Sequence, residues 1–244
     1  MKRRNFIKKT ALTTAAISMI PYVGQSQILQ DYSRALLIGK GTPDFLGSDF
    51  KLERATFEAF TKMKTAAALD GIDIEVVSAY RNYDRQNAIW TRKYKAFTAQ
   101  GLHPLDAIKK IVEYSTIPGT SRHHWGTDID MIDGNAPRPE SVLQAKHFHG
   151  KGPFCKFKEW MNANATSYGF YEVYSDNANR KGFKYEPWHF SYLPTSKPLL
   201  AAYRKLDVKT MLREEKLIGS EHFTKQFIDN YVQNNILDIN PALL

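Results

Sequence analysis

A histidine and an aspartate seven positions apart, His123 and Asp130, fall in the segment Pro118-Gly119-Thr120-Ser121-Arg122-His123-His124-Trp125-Gly126-Thr127-Asp128-Ile129-Asp130. With the flexible Gly126 between them, an imidazole and a carboxylate at this spacing can converge on one cation through a turn that feeds a strand. Zinc accepts both donor types, and a catalytic zinc site needs three protein ligands and an open position. The third ligand must come from elsewhere. Glu186-Pro187-Trp188-His189 supplies a histidine with a carboxylate three positions before it. His189 can hold the metal while Glu186 takes a proton from the attacking water and returns it to a leaving amine. Arg81 follows an apolar run and the segment Ser78-Ala79-Tyr80, where a guanidinium at a strand end can grip a carboxylate with two parallel hydrogen bonds. Taken singly, a histidine is usually structural or solvated, Arg81 reads as a surface ion pair, and Glu186 as a turn cap. Their joint occurrence points to metal-assisted hydrolysis of an amide.

The elements that must position these residues are legible from periodicity. Leu52, Ala55, Phe57, Phe60, Met63 and Ala67 recur at helical spacing over 52–69, and Asp70-Gly71 ends that helix. The β-branched run 72–77 predicts a strand that delivers Arg81. Helices are predicted over 84–99, 104–114 and 154–167, and strands over 126–132, 169–174 and 183–192. Residues 133–152, with Gly, Pro, His147 and His149, read as a long loop beside the site. Pro187 disfavours a helix, and residues three apart on a regular strand face opposite sides. A bend or bulge near Trp188 is therefore needed for Glu186 and His189 to reach one metal. Trp188 and Phe190 themselves read as core packing, and His124, His147 and His149 as loop or rim residues rather than ligands, with substrate contact the alternative for His147 and His149. The tail 197–244 is amphipathic and helical. Helices around a few short strands predict one α+β domain: a small antiparallel sheet with flanking helices.

The N-terminus reads as an address. Lys2-Arg3-Arg4-Asn5-Phe6-Ile7-Lys8 is a twin-arginine pattern before an apolar run, Ala11 to Val23, with small residues Gly24 and Ser26 ahead of Gln27. That run, interrupted by Pro21, is short of the roughly 20 apolar residues of a spanning helix. We expect a cleaved twin-arginine-type signal over 1–26, a lead-in over 27–51, a zinc peptidase domain over 52–195 and a helical C-terminal extension over 196–244. The destination is the periplasm or cell envelope, with no stable membrane insertion after cleavage. Five Lys and Arg residues precede Gln27 and no acidic residue does, leaving 29 basic against 25 acidic residues, a net charge of +4. No helix or loop concentrates Lys and Arg, so nucleic acid is not an expected partner. The single Cys155 cannot form an internal disulfide and reads as a small buried hydrophobe.

Together the three segments resemble the zinc D-alanyl-D-alanine carboxypeptidases, the vancomycin-resistance-type enzymes that share a fold with the hedgehog signalling domain. That family carries Ser-x-Tyr-Arg-Ser followed by a Gln, then Pro-Gly-x-Ser-x-His-x-x-Gly-x-Ala-x-Asp, then Glu-x-Trp-His. Ser78, Tyr80, Arg81 and Gln86 match the first motif. Pro118, Gly119, Ser121, His123, Gly126 and Asp130 match the second, and Glu186, Trp188 and His189 the third. The likeness covers about residues 52–195, including Trp160-Met161-Asn162-Ala163 and Tyr168-Gly169-Phe170.

The resemblance implies Zn2+ held by His123, Asp130 and His189, with Glu186 as general acid and base. It implies that Arg81, with Ser121 and Gln86, holds the terminal carboxylate or the developing oxyanion. The implied substrate is a peptidoglycan stem peptide cut at its C-terminal D-alanine. An L,D-carboxypeptidase, an endopeptidase and a non-catalytic zinc module that binds wall peptides or a protein are the alternatives. Two positions depart from the pattern. Asn82 replaces a Ser, and Asp128 replaces a small Ala two residues before Asp130, on the same strand face. Asp128 could orient a ligand histidine, compete for the metal or be solvated.

Overall fold

The computed structural model describes residues 32–244; the expected signal over 1–26 lies outside the described residues. Helix α1 (Arg54–Leu69) starts where the Glu53 carboxylate accepts the backbone N–H groups of Ala55 and Thr56. It stops at Gly71, whose φ of 79° suits a residue without a Cβ. Strand β1 (Ile74–Ser78) then leads to α2 (Tyr83–Ala99), capped by Asn82, whose side chain accepts from Arg85 N–H. The residue that departs from the family's Ser thus performs a cap. Helix α3 (Pro104–Ile111) follows, then β2 (Asp128–Asp133), α4 (Cys155–Asn164), β3 (Phe170–Glu172) and β4 (His189–Tyr192). The tail folds as α5 (Leu193–Tyr203), α6 (Val208–Glu214) and α7 (Lys225–Tyr231) with short turns between.

The fold is α+β, and its four-stranded antiparallel sheet runs β1-β2-β4-β3. Its register makes the site. Asp130 lies opposite both Ser78 and His189, and Asp128 lies opposite Ser191. Directly opposed residues project from the same face, so Asp128, Asp130, His189 and Ser191 share one side of the sheet. On the other side Ile129, Met131 and Phe190 join a core with Phe60, Met63 and Phe157.

The predicted strand over 183–192 is realised only from His189. Glu186 to His189 is a turn, closed by His189 N–H donating to the Glu186 carbonyl at 3.0 Å. This is the bend needed near Trp188. The helix predicted to 114 ends at Ile111, and the loop 133–152 contains one 3-10 turn, Ala145–Phe148. Cys155 is half-buried rather than buried.

A second core lies between α2, α3 and the C-terminal helices. Trp90 and Trp125 pack there with Leu200, Tyr203, Met211 and Tyr231. Leu37 and Ile38 of the lead-in belong to the same core. No helix among the described residues is long and apolar enough to cross a membrane.

Candidate metal centre and substrate cleft

His123 occupies a short 3-10 turn, Arg122–Trp125, that ends at Gly126 with φ 70°. A Cβ at Gly126 would stand 2.8 Å from the Phe45 ring and 2.9 Å from the Glu53 nitrogen, so glycine is required there. The turn brings His123 beside the Asp130–His189 pair of the sheet. His123 Nδ1 donates to the Ala79 carbonyl at 2.8 Å, which leaves Nε2 as a lone pair 3.4 Å from Asp130 Oδ2. His189 Nδ1 lies 3.7 Å from Asp130 Oδ1, an oxygen that is buried without a hydrogen-bond partner. One donor atom from each of His123, Asp130 and His189 falls within 4.8 Å of the others, and all three residues are buried. Two imidazole nitrogens and a carboxylate with an unsatisfied oxygen fit a zinc-like cation.

Asp128 is fully buried and is not solvated. Its Oδ1 accepts from Arg122 Nε at 2.9 Å and lies 3.1 Å from His189 Nε2. Its Oδ2 accepts from the hydroxyls of Thr127 at 2.7 Å and Ser191 at 2.9 Å. Burial would raise the carboxyl's pKa, yet the Arg122 charge and the His189 hydrogen bond hold it well below the usual range. An ionised Asp128 fixes the proton of His189 on Nε2 and turns Nδ1 toward Asp130, the arrangement in which a carboxylate orients a ligand histidine. Arg122 completes the unit by donating to Ser191 Oγ at 2.7 Å and stacking on Trp125.

Glu186 Oε2 lies 3.0 Å from His189 Nδ1. Burial pushes the Glu186 carboxyl up, against the His189 contact that lowers it. A buried carboxylate with raised proton affinity suits a group that must accept and release a proton near neutral pH. Burial alone would lower the pKa of His189; hydrogen bonds to Asp128 and Glu186, with the charge of Asp130, push it up to about 10. A cation between the same groups takes the place of that proton.

His123, Asp130, Glu186 and His189 line a cleft of about 640 Å³ that also receives Arg81, Gln86 and Ser121. Gln86 and Ser121 are each 1% exposed, and Gln86 Oε1, Ser121 Oγ and Arg81 Nε are buried without partners. Polar atoms left open in a cleft are the mark of a ligand that completes them. The backbone of Arg81 is clamped from the metal turn: its N–H donates to the His123 carbonyl at 3.1 Å, and its carbonyl accepts from His124 Nδ1 at 2.6 Å. His124 Nε2 in turn accepts from Gly119 N–H at 3.1 Å. An imidazole that donates through one nitrogen and accepts through the other is neutral, and burial pushes His124 down to about 4.

All seven residues predicted for the site thus meet in one cleft. His147 and His149 stand apart from its wall, which is formed there by Leu143 to Lys146; His149 contacts the Tyr185 hydroxyl instead. His124 is no ligand, and it is fully buried rather than a rim residue. Sequence reasoning missed Arg122, whose partner lies six residues on, and Tyr174, whose ring meets His189 edge-on at 5.1 Å. The unusual Asp128 was the signal that a buried cation should stand near it.

Comparison with known proteins agrees with this geometry. Residues 49–195 match the family described as VanY: D-alanyl-D-alanine carboxypeptidase. A D-alanyl-D-alanine carboxypeptidase of Enterococcus faecalis (strain ATCC 700802 / V583) is 26% identical over 152 residues, which are 62% of this chain and 52% of that protein. The chain therefore spans about half the length of that relative. VanYB, solved in complex with D-Alanine-D-Alanine, superposes with a TM-score of 0.52 at 21% identity, over 72% of this chain and 92% of that one. A mutant of the vancomycin resistance D,D-pentapeptidase VanY, solved in complex with Zn(II), superposes with a TM-score of 0.51 at 22% identity, over 70% and 90%. At such identities the likeness establishes a shared fold.

Proposed function

Because this chain belongs to the VanY family of D-alanyl-D-alanine carboxypeptidases, we propose that it is a zinc-dependent peptidase that removes the C-terminal D-alanine of peptidoglycan stem peptides in the cell envelope. The observation that carries this reading is the convergence of His123 Nε2, His189 Nδ1 and the open oxygen of Asp130 in a cleft shared with Arg81. Zinc is the metal held by the VanY pentapeptidase of the same fold. When bound, zinc supplies a Lewis acid that polarises the scissile carbonyl and acidifies water. His123, Asp130 and His189 hold it, and Asp128 keeps His189 in the ligating tautomer.

Arg81 grips the substrate's terminal carboxylate, with Ser121 and Gln86 completing the contacts, so the last peptide bond alone is presented. Glu186 takes the proton of the attacking water as the C–O bond forms. It delivers that proton to the amine as the C–N bond breaks, which leaves a shortened peptide acid and free D-alanine. The twin-arginine pattern at residues 2–8 supports an envelope location, where this substrate resides.

The test is Glu186→Ala with defined muropeptides, products identified by mass with and without chelator. Turnover should vanish while zinc remains near one per chain. Loss of zinc together with activity would make Glu186 part of the metal site instead. Chelator-insensitive binding without product from the unsubstituted protein would overturn the enzyme reading.

A further inference from the structure

The cleft carries more positive charge than one terminal carboxylate calls for. Lys93 lines it beside Arg81, with the exposed Arg92 and Lys146 at its edge. The acidic groups facing the same space are Asp130 and Glu186, both assigned to the reaction, while Arg122 is matched by Asp128. Among the described residues, no carboxylate forms a salt bridge with Arg81, Arg92, Lys93 or Lys146.

Lys93 is the informative one. Gln86, Ile89 and Lys93 stand at i, i+3 and i+7 on α2, a single helix face turned to the cleft. Lys93 is partly buried, and its Nζ donates to Ser115 Oγ at 2.6 Å. Burial lowers its pKa, with Glu186 opposing and Arg81 adding to the fall. An ammonium drawn out of water beside a second cation is costly unless a counter-charge joins it. The surroundings are prepared for one. Ser115, accepting from Lys93, still has its own proton to donate, and Thr116 Oγ1 is buried without a partner, a second hydroxyl free to donate.

We propose that Lys93, with Ser115 and Thr116, forms a second anion site in the cleft for a side-chain carboxylate on one of the two residues flanking the scissile bond. The preferred substrates are then peptides with two carboxylates near the C-terminus, one on Arg81 and one on Lys93, drawn in by the edge cations Arg92 and Lys146. This inference rests on the carboxypeptidase reading.

The test uses the zinc-loaded protein and two matched pairs of peptides. One pair ends in X–D-alanine with X either diaminopimelate or lysine, which differ by one side-chain carboxylate. The other ends in D-glutamate or D-glutamine. The unsubstituted protein should favour the diacid member of one pair roughly ten- to a hundredfold in kcat/KM, as for a hydrogen bond to a charged group. Lys93→Gln keeps a donor for Ser115 and removes the charge, and should bring that ratio to near unity. Lys93→Arg should retain it, which separates a charge effect from a folding effect. A ratio near unity for both pairs in the unsubstituted protein, or a preference that survives Lys93→Gln, overturns the inference while leaving the peptidase assignment intact. Absence of turnover on all four and on a control peptide ending in D-alanyl-D-alanine overturns the carboxypeptidase reading and this inference with it, whereas cleavage of the control alone overturns only the inference.

Discussion

Replacing Asp128 by alanine removes the charge partner of Arg122 and the acceptor facing His189 Nε2, along with the acceptor of the Thr127 and Ser191 hydroxyls. Arg122 is 5% exposed and Asp128 fully buried, so the single variant strands a guanidinium out of water. Breaking a buried ion pair in this way costs about 3–5 kcal/mol. Losing the carboxylate that orients a ligand histidine should weaken metal binding roughly 10- to 100-fold, about 1.4–2.7 kcal/mol. The double variant Asp128→Ala/Arg122→Leu separates these effects. With both charges gone, apolar replacement of the pair is close to neutral, and most of the stability should return. Zinc affinity should not return, because His189 still lacks its acceptor. Urea unfolding of the zinc-free protein reads the first quantity, and competition with a chromophoric chelator the second. If the double variant binds zinc as tightly as the unsubstituted protein, Asp128 does not orient His189, and its contact there is incidental to the ion pair.

Arg81→Ala should lower kcat/KM on a peptide with a free C-terminus by roughly a hundredfold or more, the scale for removing one partner of a buried charge pair. A matched C-terminal amide should change little, and equal losses on both would remove Arg81 from carboxylate recognition. His124→Leu leaves Gly119 N–H and the Arg81 carbonyl unsatisfied, each costing about 1–3 kcal/mol. In kinetics it should raise KM more than it lowers kcat; an unchanged KM would show that Arg81 is held without it. Tyr231→Phe removes the hydroxyl that accepts from Ile117 N–H at 2.9 Å and pairs with Thr120 Oγ1 at 2.7 Å. At about 1–3 kcal/mol for the orphaned donor, a thermal melt should fall by several degrees with zinc content unchanged, and an unshifted melt would refute that anchoring.

Local pattern was sufficient wherever local physics decides the outcome. The spacing of Leu52, Phe60, Met63 and Ala67 marks a helix because one face must be buried, and the glycine after Asp70 marks its end. Pro187 spoke against a helix, the three-residue spacing of Glu186 and His189 required a bend, and the turn found there brings both side chains to one point. Length was less legible. The run from Phe183 looked like strand, but its first backbone bonds are scattered, Lys184 N–H to the Glu113 carbonyl and Glu186 N–H to the Tyr174 carbonyl. The ladder to β2 begins only at the Trp188 carbonyl, which accepts from Met131 N–H. Residues 32–51 show no clear period and 197–244 an amphipathic helical one, and neither segment indicates its partners. Those partners, Trp90 and Trp125, are more than 70 residues away from Leu199.

The site itself divides along the same line. The metal end is written in two short segments because antiparallel register places Asp130 opposite His189, and a glycine turn returns His123 to them. The Arg81 end of the cleft depends on contacts that no short segment contains. Tyr203 donates to the Gly119 carbonyl at 2.9 Å, Tyr231 holds Ile117 and Thr120, and His124 ties Gly119 to Arg81. The C-terminal helices therefore brace the loop before the metal turn, and through His124 that brace reaches the backbone of Arg81. The sheet fixes where the metal ligands meet. The helical core braces Arg81, the group proposed to hold the substrate's end, and it does so from residues that never enter the cleft.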